Sequence, residues 1–187
     1  MRLDRADLAT LQQLVRHSRP LAPAQAAALR PIVEEIFLAG EPYKKEATQG
    51  FLGIMMDQSG FGARDLQQPN DIGGQASGVV VADRFPGFCA SRSLHDGDVI
   101  LGAAEPAQAF NSPEDLKFAI GSLQPGSVVR LQVLRHGQVV EVPLKLDCKP
   151  AEVDSVETAE SFRRERAEKF DQYWHDTFAP LLKESVG

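Results

Sequence analysis

The clearest chemistry in the sequence belongs to the backbone of a short glycine-bearing segment, Gly50-Phe51-Leu52-Gly53-Ile54. Gly53 permits a turn just ahead of a short apolar strand. In such a turn successive N–H groups converge and form a concave site for an anion. We therefore predict that Phe51-Leu52-Gly53-Ile54 forms an anion-binding loop. The N–H groups of Leu52, Gly53 and Ile54 would point at one carboxylate, and the strand Ile54-Met55-Met56 would offer an open edge to an extended peptide.

The side chains that could perform catalysis do not form a recognisable catalytic motif in the sequence. His17 and His175 lie in charge-rich helical segments, His136 lies in a hairpin turn, and the neighbours His95 and Asp96 belong to a turn. The sequence has no Gly-x-Ser-x-Gly, no His-Glu-x-x-His and no phosphate-binding glycine motif ahead of a helix. We therefore expect a non-catalytic protein that needs no cofactor and no metal.

The two cysteines, Cys89 and Cys148, are too few for a disulfide scaffold and lack metal-ligand spacing. The interpretation we favour is two structural thiols. A bridge between them would require a fold that brings their Cα atoms within ~7 Å.

Composition narrows the class of partner. The chain has 187 residues and a net charge of -6, which argues against nucleic-acid binding because phosphate contacts need a concentrated basic face. No apolar run approaches the ~20 residues that span a bilayer. The N-terminal residues also lack the continuous apolar stretch of a signal peptide. We expect a cytoplasmic protein if Met1 is the native start, or a periplasmic or cell-envelope one if the chain was cut from a longer exported precursor.

Three segments follow from the patterning. We predict two helices in residues 1–45, with Pro31 kinking or breaking the second one. Residues 46–148 combine glycine with short apolar runs and should form strands and one helix. Residues 149–187 should form a long helix that Pro180 ends or kinks.

The middle segment contains a hairpin and a capped helix. Two alternating runs, Val128–Arg135 and Val139–Leu146, flank His136-Gly137-Gln138, and Pro143 favours an edge position for the second run. Asn111 or Ser112 should cap the helix, with Leu116, Ala119, Ile120 and Leu123 facing inward. The irregular stretch Asp57–Ser77 interrupts these elements. It could cover a groove, extend the sheet or have no fixed structure.

The C-terminal helix carries an aromatic stripe, namely Phe162, Phe170, Trp174, Phe178 and Leu181 or Leu182. It could pack on the N-terminal helices of the same chain. It could also form a surface for self-association, such as a homodimer.

The order of motifs across about a hundred residues resembles the PDZ family, in particular the bacterial type attached to HtrA serine proteases. The motifs that carry the resemblance are the Phe51–Ile54 loop, Gly78-Val79-Val80-Val81, Leu94-His95-Asp96-Gly97-Asp98-Val99-Ile100, the helix from Ser112, Pro125-Gly126 and the hairpin. This resemblance implies an α+β fold, with a small partly open β-barrel or sandwich of five to six strands and one or two helices. The N-terminal helices and the long C-terminal helix would flank it. In this type the last strand, here Val139–Leu146, takes the place of the strand that begins an animal PDZ domain.

The resemblance also implies a binding groove. Phe51, Leu52, Gly53 and Ile54 would hold the terminal carboxylate of a partner's C-terminal peptide. Met55, Met56, Lys117 and Ile120 would line the groove, with Leu52, Ile54 and Ile120 forming an apolar pocket for a Val, Ala or Leu side chain. Pro113 replaces the helix histidine that many animal domains use to bind a hydroxyl, so a Ser- or Thr-directed ligand is not expected.

Two functions follow as hypotheses. The first is a peptide-binding module that recognises C-termini. The second is an assembly protein whose flanking helices drive oligomerisation while the groove is self-occupied or unused.

Overall fold

In a computed structural model of the chain, residues 5–18, 21–57 and 78–184 are described. Of the predicted irregular stretch Asp57–Ser77, only Asp57 is among the described residues, and the rest lies outside them. In chain order the elements are α1 (Arg5–His17), α2 (Pro23–Ala39), β1 (Lys45–Phe51), β2 (Ile54–Met56), β3 (Val79–Arg84), α3 (Cys89–Ser93), β4 (Val99–Ala103), β5 (Gln108–Ala109), α4 (Pro113–Gly121), β6 (Val128–Arg135), β7 (Gln138–Lys145), β8 (Asp147–Pro150), α5 (Val156–Thr177) and α6 (Ala179–Glu184). The predicted α+β class is confirmed.

The chain divides into two compact units. One unit joins the two chain ends, Met1–Tyr43 and Glu152–Gly187, and the other is the continuous stretch Lys44–Ala151. We call them the helical unit and the sheet unit. Among the described residues no helix is both long and apolar enough to cross a membrane.

The aromatic stripe of α5 is buried inside the helical unit. Phe170, Trp174 and Phe178 share one apolar cluster with residues of α1 and α2, among them Val33 and Ile36. The Trp174 and Phe178 rings stack with centroids 5.4 Å apart. Aromatic contacts of this kind add to the stabilisation from apolar burial. The stripe therefore packs within its own chain, as the first of the two interpretations predicts.

Prolines act differently in the two long helices. Helix α2 continues through Pro31 as one helix, so the break, one of the two predicted outcomes, does not occur. Pro31 is solvent-exposed, and the buried residues that follow it, beginning with Val33, anchor the second half of the helix. Near the C-terminus the interruption does occur. Helix α5 ends at Thr177 and α6 starts at Ala179, directly ahead of Pro180, where a proline disfavours the helical conformation of the preceding residue.

The sheet unit is built on an open antiparallel sheet with the strand order β2-β3-β4-β6-β7, in which β5 also pairs with β4. The predicted hairpin joins β6 to β7. Its turn is His136-Gly137, both with positive φ, as a two-residue type I′ turn requires. Pro143 lies on β7 and is the partner of Arg130 on β6. Strand β7 is at the edge of the described sheet, where a residue without an N–H is tolerated.

Helix α4 begins as the sequence predicts. The Ser112 side chain accepts the Asp115 N–H at 3.2 Å, and the Asp115 carboxylate accepts the Ser112 N–H at 3.1 Å, which completes a reciprocal cap. Leu116 and Ile120 are buried beneath the helix in the sheet-unit core. Ala119 and Leu123 are half-buried against that core.

The predicted run Val139–Leu146 lies in and just after β7, which pairs with β6 along its whole length. A further strand that the sequence did not predict follows it. The chain turns after Leu146, whose N–H and carbonyl bond to Ser127 and Gly126. The following residues, β8, then pair antiparallel with β1, placing Asp147 opposite Phe51. Strand β1 was not predicted, since its mostly polar, exposed sequence gives no strand pattern.

A buried ion pair fixes the turn ahead of β4. Asp98 is 2% exposed and accepts hydrogen bonds from Arg135 Nη2 at 2.7 Å, from Arg135 Nε at 2.9 Å and from the His95 N–H at 2.8 Å. Burial by itself would raise the pKa of Asp98. The hydrogen bonds from Arg135 and His95 outweigh burial, so the pKa of this carboxyl lies below its usual value. Asp98 therefore has a structural role in this turn.

Candidate carboxylate-binding loop and groove

The predicted loop lies between the end of β1 at Phe51 and the start of β2 at Ile54. Gly53 has φ +79°, a left-handed conformation that side chains with a Cβ rarely adopt. A Cβ placed on Gly53 would come within 2.4 Å of Phe88 Cβ. Position 53 therefore requires glycine for two reasons, its backbone conformation and the space beside Phe88.

The carbonyl groups of the loop are all held from one side. The Gly53 carbonyl accepts the Phe85 N–H at 2.8 Å, and the Leu52 carbonyl accepts the Ala90 N–H at 3.1 Å. The Cys89 thiol lies 3.4 Å from the Leu52 oxygen and 3.6 Å from the Phe51 oxygen, so the two carbonyls share its single S–H donor. Three consecutive carbonyls are thus anchored to Phe85, the residue that follows β3, and to the first turn of α3.

Anchored carbonyls determine where the N–H groups point. In a trans peptide the N–H of each residue is directed away from the preceding carbonyl oxygen. The N–H groups of Leu52, Gly53 and Ile54 therefore point away from α3 and β3. Within the described part of the chain, those of Leu52 and Gly53 donate to no protein acceptor. These three N–H groups therefore lie on one side of the loop, and their convergence on a single anion stays a prediction.

The direction of the Ile54 N–H follows from the register of the pairing between β2 and β3. Ile54 lies opposite Arg84, and the bond from Phe85 to the Gly53 carbonyl comes just before this pair. Because bonded and non-bonded pairs alternate in antiparallel sheets, Ile54 is a non-bonded partner of Arg84. Its N–H and carbonyl are then directed to the outer edge of β2. That edge is the last one of the sheet formed by the described residues.

Aromatic packing supports the loop from below. The Phe51 and Phe88 rings meet edge to face with centroids 5.2 Å apart, and Phe51 lies 5.9 Å from Phe85. Phe85 and Phe88 are almost fully buried. In this structure Phe51 contributes an anchored carbonyl and a packed ring.

The predicted pocket residues are apolar and lie together. Leu52 and Ile120 are buried members of the sheet-unit core, and Ile54 and Met56 are half-buried against the same core. Met55 alternates to the opposite face of β2, while its backbone remains part of the edge strand. On α4, Lys117 is exposed.

Helix α4 is held close to the loop by Gly50, whose role the sequence did not indicate. The Gly50 N–H donates to the Leu123 carbonyl at 2.8 Å. A Cβ at position 50 would lie 2.9 Å from the Ile120 oxygen and 2.7 Å from Leu146 Cδ1. Only glycine lets the end of α4 approach β1 this closely, one residue ahead of the loop.

Arg84 lies opposite Ile54 in the pairing of β2 with β3. Its guanidinium is committed elsewhere, because it bonds to Asp96 at 2.7 Å and to the Leu94 carbonyl at 2.7 Å. Arg84 is therefore not positioned to hold an anion at the loop.

The cysteines lie near the loop but are not joined by a disulfide. Asp147 lies opposite Phe51 and reaches Cys89, whereas Cys148 lies opposite Gly50 and so faces the other side of the strand pair. Burial first, and the nearby Asp147 carboxylate second, raise the pKa of the Cys89 thiol to about 12. The thiol is therefore protonated at neutral pH, as a hydrogen-bond donor must be. Among the described residues no cluster of His, Cys, Asp or Glu could hold a metal ion.

Comparisons with known proteins give structural likeness only, since no protein family and no curated protein matches this chain. The HtrA-type protease AlgW, carrying a point substitution and solved with a decapeptide, is 25% identical with a TM-score of 0.48, over 58% of this chain and 31% of that chain. AlgW with a tripeptide is 26% identical with a TM-score of 0.46, over 56% of this chain and 33% of that chain. The HtrA3 PDZ domain bound to a phage-derived ligand is 19% identical with a TM-score of 0.42, over 55% of this chain and 89% of that chain. The chain thus matches about a third of the length of AlgW.

Proposed function

We propose that the sheet unit binds the C-terminal peptide of a partner protein. The peptide adds as a strand to the outer edge of β2, and the N–H groups of Leu52, Gly53 and Ile54 hold its terminal carboxylate. The observation that carries this proposal is the anchoring of three successive carbonyls by Cys89, Ala90 and Phe85, which leaves the N–H groups directed outward. We also propose that the module performs no chemistry of its own.

The neighbouring apolar residues account for the side chain that such a ligand would present. Leu52 and Ile120 are already buried, and Ile54 is half-buried beside them. A ligand side chain that packs against these residues would be a medium aliphatic one, since burying each CH₂ contributes about 0.8 kcal/mol. We therefore expect Val, Ala or Leu at the peptide's C-terminus. Methionine at positions 55 and 56 adapts to varied shapes and favours broad upstream specificity.

Oligomerisation through α5 is a weaker alternative. The residues that would form its surface, Phe170, Trp174 and Phe178, are buried in the helical unit. Self-association would have to use other residues.

The test uses labelled heptapeptide pools with randomised upstream positions and Val, Ala or Leu at the end. Each pool is prepared with a free carboxylate and with a C-terminal amide, and binding to the full chain is followed by fluorescence anisotropy. Hydrogen bonds to a charged group contribute about 1.5–3 kcal/mol each, so amidation should weaken binding at least ~10-fold. Equal affinity of the two forms would refute carboxylate capture.

Strand addition has its own signature. Only every second peptide amide faces β2, so N-methylation of single backbone positions should weaken binding in alternation along the ligand. A uniform effect, or none, would refute the β-strand mode while leaving the carboxylate test unaffected.

A further inference from the structure

Helix α3, which holds the loop, is itself capped from a distant strand. Its N-cap residue, Phe88, has no capping side chain. The first helical N–H, that of Cys89, instead donates to Asp147 Oδ2 at 2.7 Å. Helices need an acceptor at this position because their first N–H groups have no partner within the helix. An aspartate 58 residues further along the chain, on β8, supplies it.

The next N–H of the same helix anchors the loop. Ala90 donates to the Leu52 carbonyl, and the Cys89 thiol contacts the same oxygen. Cys89 binds Asp147 through its N–H, and the next residue, Ala90, binds the Leu52 carbonyl through its own N–H. The two contacts are therefore made by neighbouring residues of one helical turn.

Asp147 is also connected to the loop from its other side. It lies directly opposite Phe51 in the pairing of β1 with β8. The backbone of Asp147 thus pairs with β1, and its carboxylate binds α3. The loop follows β1, and its carbonyls are held by α3.

We propose that Asp147 is a positioning residue for the carboxylate-binding loop: by accepting the Cys89 N–H it fixes α3 against β1, and thereby orients the Leu52 carbonyl and the N–H of Gly53. This inference rests on the proposed function for its effect on binding. Its effect on the loop can be observed without any ligand.

Charge and geometry make opposite predictions at this position. A carboxylate beside an anion site repels the ligand, so its charge alone would weaken binding. If Asp147 acts by geometry, a neutral acceptor of the same shape should serve as well or better. Asp147→Asn keeps an acceptor oxygen, whereas Asp147→Ala removes it and Asp147→Leu keeps the branching without an acceptor.

The experiment compares these three variants with the wild-type full chain. Glu141→Ala is the matched control, because it removes one negative charge from the hairpin, where Glu141 pairs with Arg130. The first readout is the set of NMR amide resonances of Leu52, Gly53 and Ile54 without ligand. The second is the affinity for the Val-ended peptide pool in its free-acid and amide forms.

Asp147→Ala and Asp147→Leu should shift the loop resonances and weaken free-acid binding by about 5- to 20-fold, with little effect on the amide pool. Asp147→Asn should keep wild-type resonances and bind the free acid at least as tightly as wild type, and Glu141→Ala should change neither readout. Unshifted loop amides in both Asp147→Ala and Asp147→Leu would overturn the inference, as would equal weakening by Asp147→Asn. If Asp147→Ala fails to fold, Asp147→Leu decides the question. If the wild type binds neither pool, the proposed function fails, while the loop resonances still decide the role of Asp147.

Discussion

Replacing Gly53 with alanine tests the loop geometry most directly. The left-handed conformation costs a residue with a Cβ about 1–2 kcal/mol. The new Cβ would also lie 2.4 Å from Phe88 Cβ, a buried atom next to the backbone that cannot rotate away. Overpacking of this kind costs about 1–3 kcal/mol more. The free energy of unfolding of the sheet unit should therefore fall by about 2–5 kcal/mol.

Gly137→Ala provides the matched control. Gly137 has nearly the same backbone conformation, φ +78°, but an added Cβ would meet nothing within 4 Å. It should lose only the conformational part, about 1–2 kcal/mol, and keep peptide binding. The difference between the two variants isolates the contact with Phe88.

Both variants are compared by urea unfolding, followed through NMR signals of the sheet, and by affinity for the free-acid peptide pool. Relief of the strain at position 53 would rotate the Gly53 and Ile54 N–H groups, so Gly53→Ala should bind at least ~10-fold more weakly than wild type. Binding equal to wild type, together with a loss of stability no larger than that of Gly137→Ala, would refute the proposed loop geometry.

Two further predictions concern titratable groups. Because the pKa of Asp98 is lowered in the folded state, its ion pair stabilises the sheet unit fully above the unfolded-state value and should lose that contribution as the pH falls below about 4. Asp98→Asn should cost about 2 kcal/mol at pH 7 and progressively less in acid, measured by urea unfolding at several pH values, and a pH-independent difference would contradict this account. The buried, protonated thiol of Cys89 should react with iodoacetamide at pH 8 at least ~10-fold more slowly than the half-buried Cys148, measured by mass spectrometry of the native protein, and comparable rates would contradict the described burial.

Local signals made part of the site predictable. A glycine ahead of an apolar strand indicated the loop at Gly53, and Ser112-Pro113 indicated the start of α4, because turns and caps depend on residues adjacent in sequence. The His136-Gly137 turn is local in the same sense.

The supporting contacts were not predictable, because they join residues far apart. The bond from Cys89 to Asp147 depends on the pairing of β1 with β8, and neither strand has an alternating apolar pattern. The short, partly polar β8, which pairs with β1, was not predicted because its four residues lack the strand propensity of the Val139–Leu146 run before it. The local cost of Pro31 left a break in α2 open, because that cost does not reveal the packing of Val33 and Ile36 beyond it.

The residues that give the protein its intrinsic fluorescence all lie in the helical unit. The single tryptophan and both tyrosines, Trp174, Tyr43 and Tyr173, belong to that unit, and the sheet unit has neither residue type. The intrinsic tryptophan and tyrosine fluorescence therefore arises in the helical unit alone and gives no direct signal from the loop. A tryptophan introduced at the exposed position Phe118 on α4 would give the sheet unit its own optical signal. In a Trp174→Phe background, that residue would be the single tryptophan of the protein.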